Sequence, residues 1–294
     1  VSPLVSCEWC HAEFAAELTS CPRCGASADI RNVVNAGGWT EVPPMQDMAE
    51  VQFGRSHAQI EGLTVAVVDV DLAAGDSVYG THDKLLWHDG TVKLSTKSSG
   101  LFKSLRTGTP LTLLGVEGPG RVGFSDNHPG ELLALPLNPG DQVISRQHHL
   151  LIATGNVDYD GHFLDRWYET ETRNGDEQEL EMEMEYPLGN FERFHCADGE
   201  PGLVILHAEG NVFTRTLDAG QAIDVAPHSL LAWRGPGTPG LMVERKRWSL
   251  GDNHYLSARV QGPLTVWIQS GAMGKTQEHK FIRRYGPDTY SSGF

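Results

Sequence analysis

Positive charge is scarce in this 294-residue chain. Lys and Arg number 23 against 38 Asp and Glu, a formal net charge of −15. That balance repels phosphate backbones and anionic lipid headgroups, so it disfavours nucleic acid and membrane surfaces as partners. Long apolar runs are missing as well, and none approaches the length of a membrane span. The start of the chain, at Val1, has neither the charged opening nor the apolar core of a secretory signal. Helical periodicity is equally short-lived, because no window keeps a 3.6-residue apolar period for long. Familiar catalytic signatures do not occur: there is no G-x-S-x-G elbow, no G-x-G-x-x-G turn and no Walker loop. Cysteine is limited to five residues. Four of these stand in metal spacing, which fits a reducing, cytoplasmic setting better than a disulfide framework.

What the chain does have is turn formers. Gly 33 and Pro 16, with hydrophobic residues at 39%, favour many short strands over long helices. The length suits one large all-β domain with a small appendage.

The appendage is read from its cysteines. Cys7-Glu-Trp-Cys10 and Cys21-Pro-Arg-Cys24-Gly25 are two C-x-x-C knuckles, each able to aim two sulfurs at one ion. Together they make a four-thiolate site for one structural Zn²⁺. Residues 1–30 are expected to form a zinc ribbon whose folding is driven by the metal, since so short a segment buries little apolar surface. Four thiolates leave no open coordination position, so no chemistry is assigned to this ion. Cys196 reads as a buried free thiol. Residues 31–50 carry Gly37-Gly38 and Pro43-Pro44 without apolar alternation, and are expected to be a linker.

From Val51 to about residue 275 one pattern occurs three times. It runs Leu72-Ala-Ala-Gly75-Asp-Ser-Val78 to Leu85-Leu86, Leu137-Asn-Pro-Gly140-Asp-Gln-Val143 to Leu150-Leu151, and Leu217-Asp-Ala-Gly220-Gln-Ala-Ile223 to Leu230-Leu231. The spacing is identical in all three copies. Each copy reads as strand, tight glycine turn, strand, bend, strand. Strands after Pro119-Gly120, Pro201-Gly202 and Gly262-Pro263 resemble one another too. A sandwich or barrel with a pseudo-threefold internal repeat is expected.

Between copies two and three lies extra chain. Tyr168 to Arg173, Asn174-Gly175 and Asp176 to Tyr186 signal a hairpin, about residues 165–187. Its return strand sets Glu179, Glu181, Glu183 and Glu185 against Leu180, Met182, Met184 and Tyr186. The acidic face is either a solvated edge, or its apolar side packs on a neighbouring subunit. A straight glutamate ladder does not wrap calcium as a loop does. The tail, 276–294, carries Phe281, Arg283, Arg284 and Tyr285, which either dock on a partner copy or fold back on their own domain.

Gly100-Leu-Phe-Lys-Ser-Leu105, Thr107 to Leu113, Glu117-Gly-Pro-Gly-Arg-Val-Gly-Phe124 and Pro129-Gly-Glu131, in this order before the second repeat, resemble the AIM24 family of bacteria and mitochondria. The resemblance covers about residues 51–270. It implies a TRAP-like β-sandwich related to the double-stranded β-helix, homo-oligomers that are often trimers, and no established enzymatic activity. The ribbon lies outside it, and the acidic hairpin reads as an elaboration.

The expected function is therefore non-enzymatic assembly: a homo-oligomer, a trimer or larger, that engages a protein partner through ribbon, hairpin and tail. A cupin-like module that binds a small ligand or metal is the alternative. His148-His149 are adjacent, and on a strand they would face opposite ways; His82 and His228 stand near equivalent places in the other copies, as single histidines. Ser145-Arg146 and Asp126-Asn127-His128 read as turn residues. RNA binding through Lys93, Lys97, Lys103 and Arg106, with Phe102 among them, is a minor alternative.

Overall fold

The computed structural model describes residues 4–6, 12–15, 21–24, 37–45, 47–62, 64–98, 112–173, 176–197, 199–237, 239–248 and 251–271. Strands make up most of these residues, joined by turns and two short 3-10 helices. Five strands precede the repeat: β1 (Leu4–Ser6), β2 (Glu13–Ala15), β3 (Thr40–Glu41), β4 (Glu50–Phe53) and β5 (Ser56–Glu61). The repeat itself is longer than its sequence signature. Each copy comprises six strands. Copy one is β6 (Val67–Leu72), β7 (Ser77–Gly80), β8 (Leu85–His88), β9 (Lys93–Ser98), β10 (Thr112–Glu117) and β11 (Gly120–Ser125). Copy two is β12 (Glu131–Leu137), β13 (Gln142–Arg146), β14 (Leu150–Thr154), β15 (Val157–Arg173), β16 (Asp176–Cys196) and β17 (Gly202–Ala208). Copy three is β18 (Val212–Leu217), β19 (Ala222–Val225), β20 (Leu230–Arg234), β21 (Gly240–Trp248), β22 (Gly251–Gln261) and β23 (Leu264–Gln269).

The signature residues explain the local turns. Gly75, Gly140 and Gly220 have φ of +89°, +85° and +86°, a region that a Cβ disfavours. Each turn closes with a backbone hydrogen bond, from Asp76 N to Ala73 O, Asp141 N to Asn138 O and Gln221 N to Asp218 O. The Leu-Leu pair marks a bulge. Opposite the corner strand β11, β17 or β23, the ladder passes from Leu85 to Trp87, Leu150 to Ile152 and Leu230 to Ala232, leaving the second leucine out. One extra residue kinks the strand and raises its twist.

Three main sheets result, in the orders β4-β5-β6-β11-β8, β12-β17-β14-β7-β10-β9 and β19-β22-β21-β15-β16-β13-β20-β23-β18-β3. In each copy the first, sixth and third strands lie together; the second, fifth and fourth of copies one and two cross to the next sheet, while those of copy three stand at the far end of the same ten-stranded sheet. The middle sheet is therefore covered on both faces. Along β17, Leu203 and Ile205 join one core with Val68, Val70, Val122 and Phe124. Val204 and Leu206 join another with Val143, Phe194 and Leu231. Burial on both faces accounts for the unbroken apolar run of β17. A third core, around Trp233, Leu230 and Val260, joins copy three to Ile144 and Phe191 of copy two.

Two expectations are revised here. The hairpin is the repeat's own fourth and fifth strands, lengthened: β15 and β16 pair from Val157↔Cys196 to Arg173↔Asp176, and β15 also pairs in parallel with β21. The linker expected at 31–50 belongs to the domain from residue 37 onward. β3 pairs with β18, and Val42 N donates to Val212 O at 2.8 Å. Trp39, Val42 and Met45 pack on the third, second and first cores in turn. The glycine and proline pairs masked a strap whose apolar residues recur every third position.

Candidate functional site

A cleft of about 630 Å³ opens where copies one and two meet, lined by Thr81, His82, Asp83, Lys84, Asp126, His128, His148, His149, His207 and Glu209. It has matching contributions from both copies. Each gives the bend before its Leu-Leu pair (Thr81–Lys84 and His148-His149) and the end of its corner strand (Asp126 to His128 after β11, and His207 on β17 with Glu209 just after it).

Its centre is an ion pair. Lys84 Nζ meets the Asp126 carboxylate and donates to His148 O at 2.6 Å. The side chains are 7% and 15% exposed. Burial pushes the Asp126 carboxyl up, but the charge and hydrogen bond of Lys84, with smaller help from His207 and His128, leave it below its ordinary value. Asp126 also holds His128, whose Nδ1 donates to Asp126 Oδ1 at 3.1 Å and to Asp126 O at 3.0 Å. Those bonds raise the pKa of His128.

The deeper imidazoles behave in the opposite way. His149 Nδ1 donates to His207 O at 2.7 Å, and His207 Nε2 donates to His128 O at 3.1 Å. Both acceptors are carbonyls, so these two nitrogens carry protons; His149 Nε2 is then a lone pair, and His207 Nδ1 faces the Asp126 carboxylate at 3.6 Å. Burial lowers the pKa of His148 and His207, and that of His149 to about 4. The cleft thus presents neutral imidazoles on its floor, and three carboxylates against one ammonium around it. Among the described residues no group of three or more His, Cys, Asp or Glu is placed to hold a metal ion. In the cleft, the ammonium of Lys84 already occupies the Asp126 carboxylate.

Reading His148-His149 as strand residues placed them on opposite faces, yet both line the cleft. The reason is local: His148 has φ +73°, so the chain turns before β14 begins. Asp126, Asn127 and His128 are turn residues as expected, with Asn127 at φ +63°, but the same turn delivers Asp126 and His128 to the cleft. Lys84 and His207 carried no sequence signal. Gly130 makes the approach possible. A Cβ there would meet Ala208 O at 2.0 Å and His207 Nε2 at 2.6 Å. Gly130→Ala is expected to displace His207 and cost about 1–3 kcal/mol, as overpacking does. Urea unfolding and the His207 imidazole NMR shifts check both effects.

The other candidate residues lie elsewhere. Cys7 and Cys10 are outside the described residues. They belong to the stretch that joins β1 to β2, which pair Leu4↔Ala15 to Ser6↔Glu13. Cys21 is buried and Cys24 exposed. Arg23 N–H lies 3.4 Å from Cys21 Sγ, and a donor aimed at sulfur favours the thiolate that zinc requires. Leu180, Met182, Met184 and Tyr186 lie on β16, where Leu180 pairs with Glu169 and Met182 with Trp167. Phe281, Arg283, Arg284 and Tyr285 are outside the described residues, as are Lys103 and Arg106. Of the remaining basic stretch, Lys93 pairs with Glu117 at 3.1 Å, and Lys97 lies over the Tyr79 ring and donates to Val157 O. Cys196 is a buried free thiol, and burial raises its pKa. No described helix is long and apolar enough to cross a membrane.

Comparison with known proteins places this architecture. The crystal structure of protein SPYM3_0169 from Streptococcus pyogenes superposes with a TM-score of 0.53 at 20% identity, covering 79% of this chain and 100% of that one. That likeness shows a shared fold. No curated protein matches the chain. The family model described as mitochondrial biogenesis AIM24 matches residues 58–271. That span runs from within β5 past the end of β23 and takes in all three copies of the repeat, so the chain belongs to the AIM24 family.

Proposed function

We propose that this protein is a non-enzymatic assembly module of the cytoplasm. Its TRAP-like β domain forms a homo-oligomer of three or more copies, and its zinc ribbon and acidic hairpin engage a protein partner. One observation carries the reading. β8 pairs with β11 alone among the described strands, and its Leu86 and Trp87 are 46% and 41% exposed. The equivalent strands β14 and β20 are flanked on both sides, and their leucines are fully buried. An apolar strand with an open edge is a template for pairing with another chain. Native mass spectrometry of the full chain is expected to give a single oligomer with one zinc per subunit. A monomer at micromolar concentration would overturn the reading.

The ribbon belongs to this proposal. The donor aimed at Cys21 Sγ and the spacing of the four cysteines fit a zinc thiolate site. Zinc would tie the two knuckles together and supply structure alone. Chelation is expected to remove one zinc per chain and abolish protease resistance within residues 1–30. The thermal midpoint of the β domain should not move, because β1 and β2 form a separate two-stranded sheet. A fall in that midpoint on zinc loss would show that the ribbon is part of the β domain's core.

The cleft supports a second reading, binding of a small cationic ligand by its carboxylates and His149 Nε2. Calorimetric titration with arginine and spermidine, read beside the His128 chemical shift, tests it. The absence of heat and shift with both would remove it.

A further inference from the structure

The cleft between copies one and two holds hydrogen-bonding capacity that the protein itself leaves unused. His149 is 8% exposed, and it lines the cleft. Its Nδ1 donates to His207 O, so Nε2, on the other side of the ring, is an acceptor without a partner among the described residues. Lys84 lines the same space. Its ammonium has three N–H donors, and two are taken, by the Asp126 carboxylate and by His148 O. The inner end of the cleft thus offers one acceptor and one donor. A buried polar group costs stability until something pairs with it.

The corresponding junction of copies two and three shows what suits such a place. Gln269 follows Ile268, the ladder partner of Leu230, as His207 follows Leu206, the ladder partner of Leu150. Gln269 is 2% exposed. Its carbonyl oxygen accepts from Glu209 N at 3.0 Å, and its amide nitrogen donates to His228 O at 3.3 Å. Where copies two and three meet, the chain thus supplies a buried carboxamide of its own. Between copies one and two His207 holds that position, and no side-chain amide lines the cleft.

Charge decides the rest of the ligand. Asp83, exposed on the bend of copy one, and Glu209, half-exposed after the corner strand of copy two, make the mouth of the cleft acidic. The charge of Asp126 is already offset by Lys84. An ammonium or guanidinium therefore suits the mouth, but at the inner end the Lys84 ammonium would repel it. A carboxylate would suit Lys84, but it would set its charge against the His149 lone pair. A carboxamide satisfies both, since its oxygen can accept from Lys84 while its nitrogen donates to His149 Nε2. We infer that the cleft takes a ligand with two unlike ends, an uncharged carboxamide held by Lys84 and His149 and a cationic group at the mouth beside Asp83 and Glu209. This rests on the cation-binding reading above.

The test is calorimetry of the full-length protein with three ligands of one chain length, γ-aminobutyramide, butylamine and γ-aminobutyrate, repeated with ε-aminocaproamide, hexylamine and ε-aminocaproate. At one length or the other the amide is expected to bind about tenfold more tightly than the amine, through the hydrogen bonds that its carboxamide adds. The amino acid should bind most weakly. Imidazole nitrogen NMR gives a second readout: the His149 Nε2 resonance should move with the amide and hold its place with the amine. Asp83→Asn, at an exposed position, should weaken amide and amine by one common factor. An amine that binds as tightly as its amide at both lengths would sink the carboxamide end and spare the cation-binding reading. An amino acid that binds most tightly, or a Asp83→Asn variant that binds both ligands as wild type does, would also overturn the inference. No binding by any amide or amine would sink both.

Discussion

Asp126→Ala is expected to destabilise the domain by about 3–5 kcal/mol, the usual cost of stranding one partner of a buried ion pair. The Lys84 ammonium is 7% exposed, and without Asp126 it would keep His148 O as its one hydrogen-bond acceptor among those described. The loss should reach further than the pair. His128 would lose its side-chain acceptor, and its raised pKa should fall back toward the ordinary histidine range. Lys84→Met with Asp126→Leu is the informative companion. Replacing both charges by apolar groups removes the desolvation cost along with the attraction, so the double variant should be far more stable than the single one. Urea unfolding of the two variants and of Lys84→Met alone completes a double-mutant cycle. A loss below about 1 kcal/mol for Asp126→Ala would place the pair in the range of solvated surface pairs.

That an ion pair sits at the centre of a cleft between copies was not visible beforehand, for a physical reason. The turn glycines, the Leu-Leu pairs and their constant spacing were legible because they describe the chain's own path over some twenty residues. The Pro-Gly corner strands resembled one another for the same reason, and they prove to be the partners against which each Leu-Leu bulge forms. The cleft arises between copies. Lys84 and Asp126 come from one, His149 and His207 from the next, and no local pattern joins them. Strand alternation also misled at His148, where a positive φ breaks the period that the argument assumed. At residues 37–50 the breakers were real, but tertiary packing recruited Trp39, Val42 and Met45 into three separate cores. The open edge of β8 became visible only once the pairing of the other two copies was known.

The remaining large effect is a dependence on pH whose two main contributors oppose each other. Glu192 lies 1% exposed on β16. Burial raises its pKa from 4.5 to about 7, and the hydrogen bond from Tyr159 offsets that only in part. Its folded form therefore holds a proton that the unfolded chain releases. The stability it contributes is complete below about pH 4.5 and is lost as pH rises through about 7. His149 has the reverse sign. Burial lowers its pKa from 6.5 to about 4, so its contribution is complete above about pH 6.5 and is lost as pH falls toward 4. Each offset corresponds to about 3 kcal/mol. Between about pH 4.5 and 6.5 one group takes up a proton on folding and the other gives one up, so their slopes cancel. Glu192→Gln uncovers the histidine side. Relative to wild type, this variant should lose about 3 kcal/mol as pH falls from 7 to 4.5. His149→Asn uncovers the glutamate side, and it should gain by a similar amount over the same interval. His148 and His207, whose pKa values burial also lowers, act in the sense of His149 and are common to both variants. The difference between each variant and wild type thus isolates its own group. Urea unfolding from pH 4.5 to 7.5 reads both slopes, and parallel curves for the three proteins would mean that neither carboxyl nor imidazole is held in its neutral form by the fold.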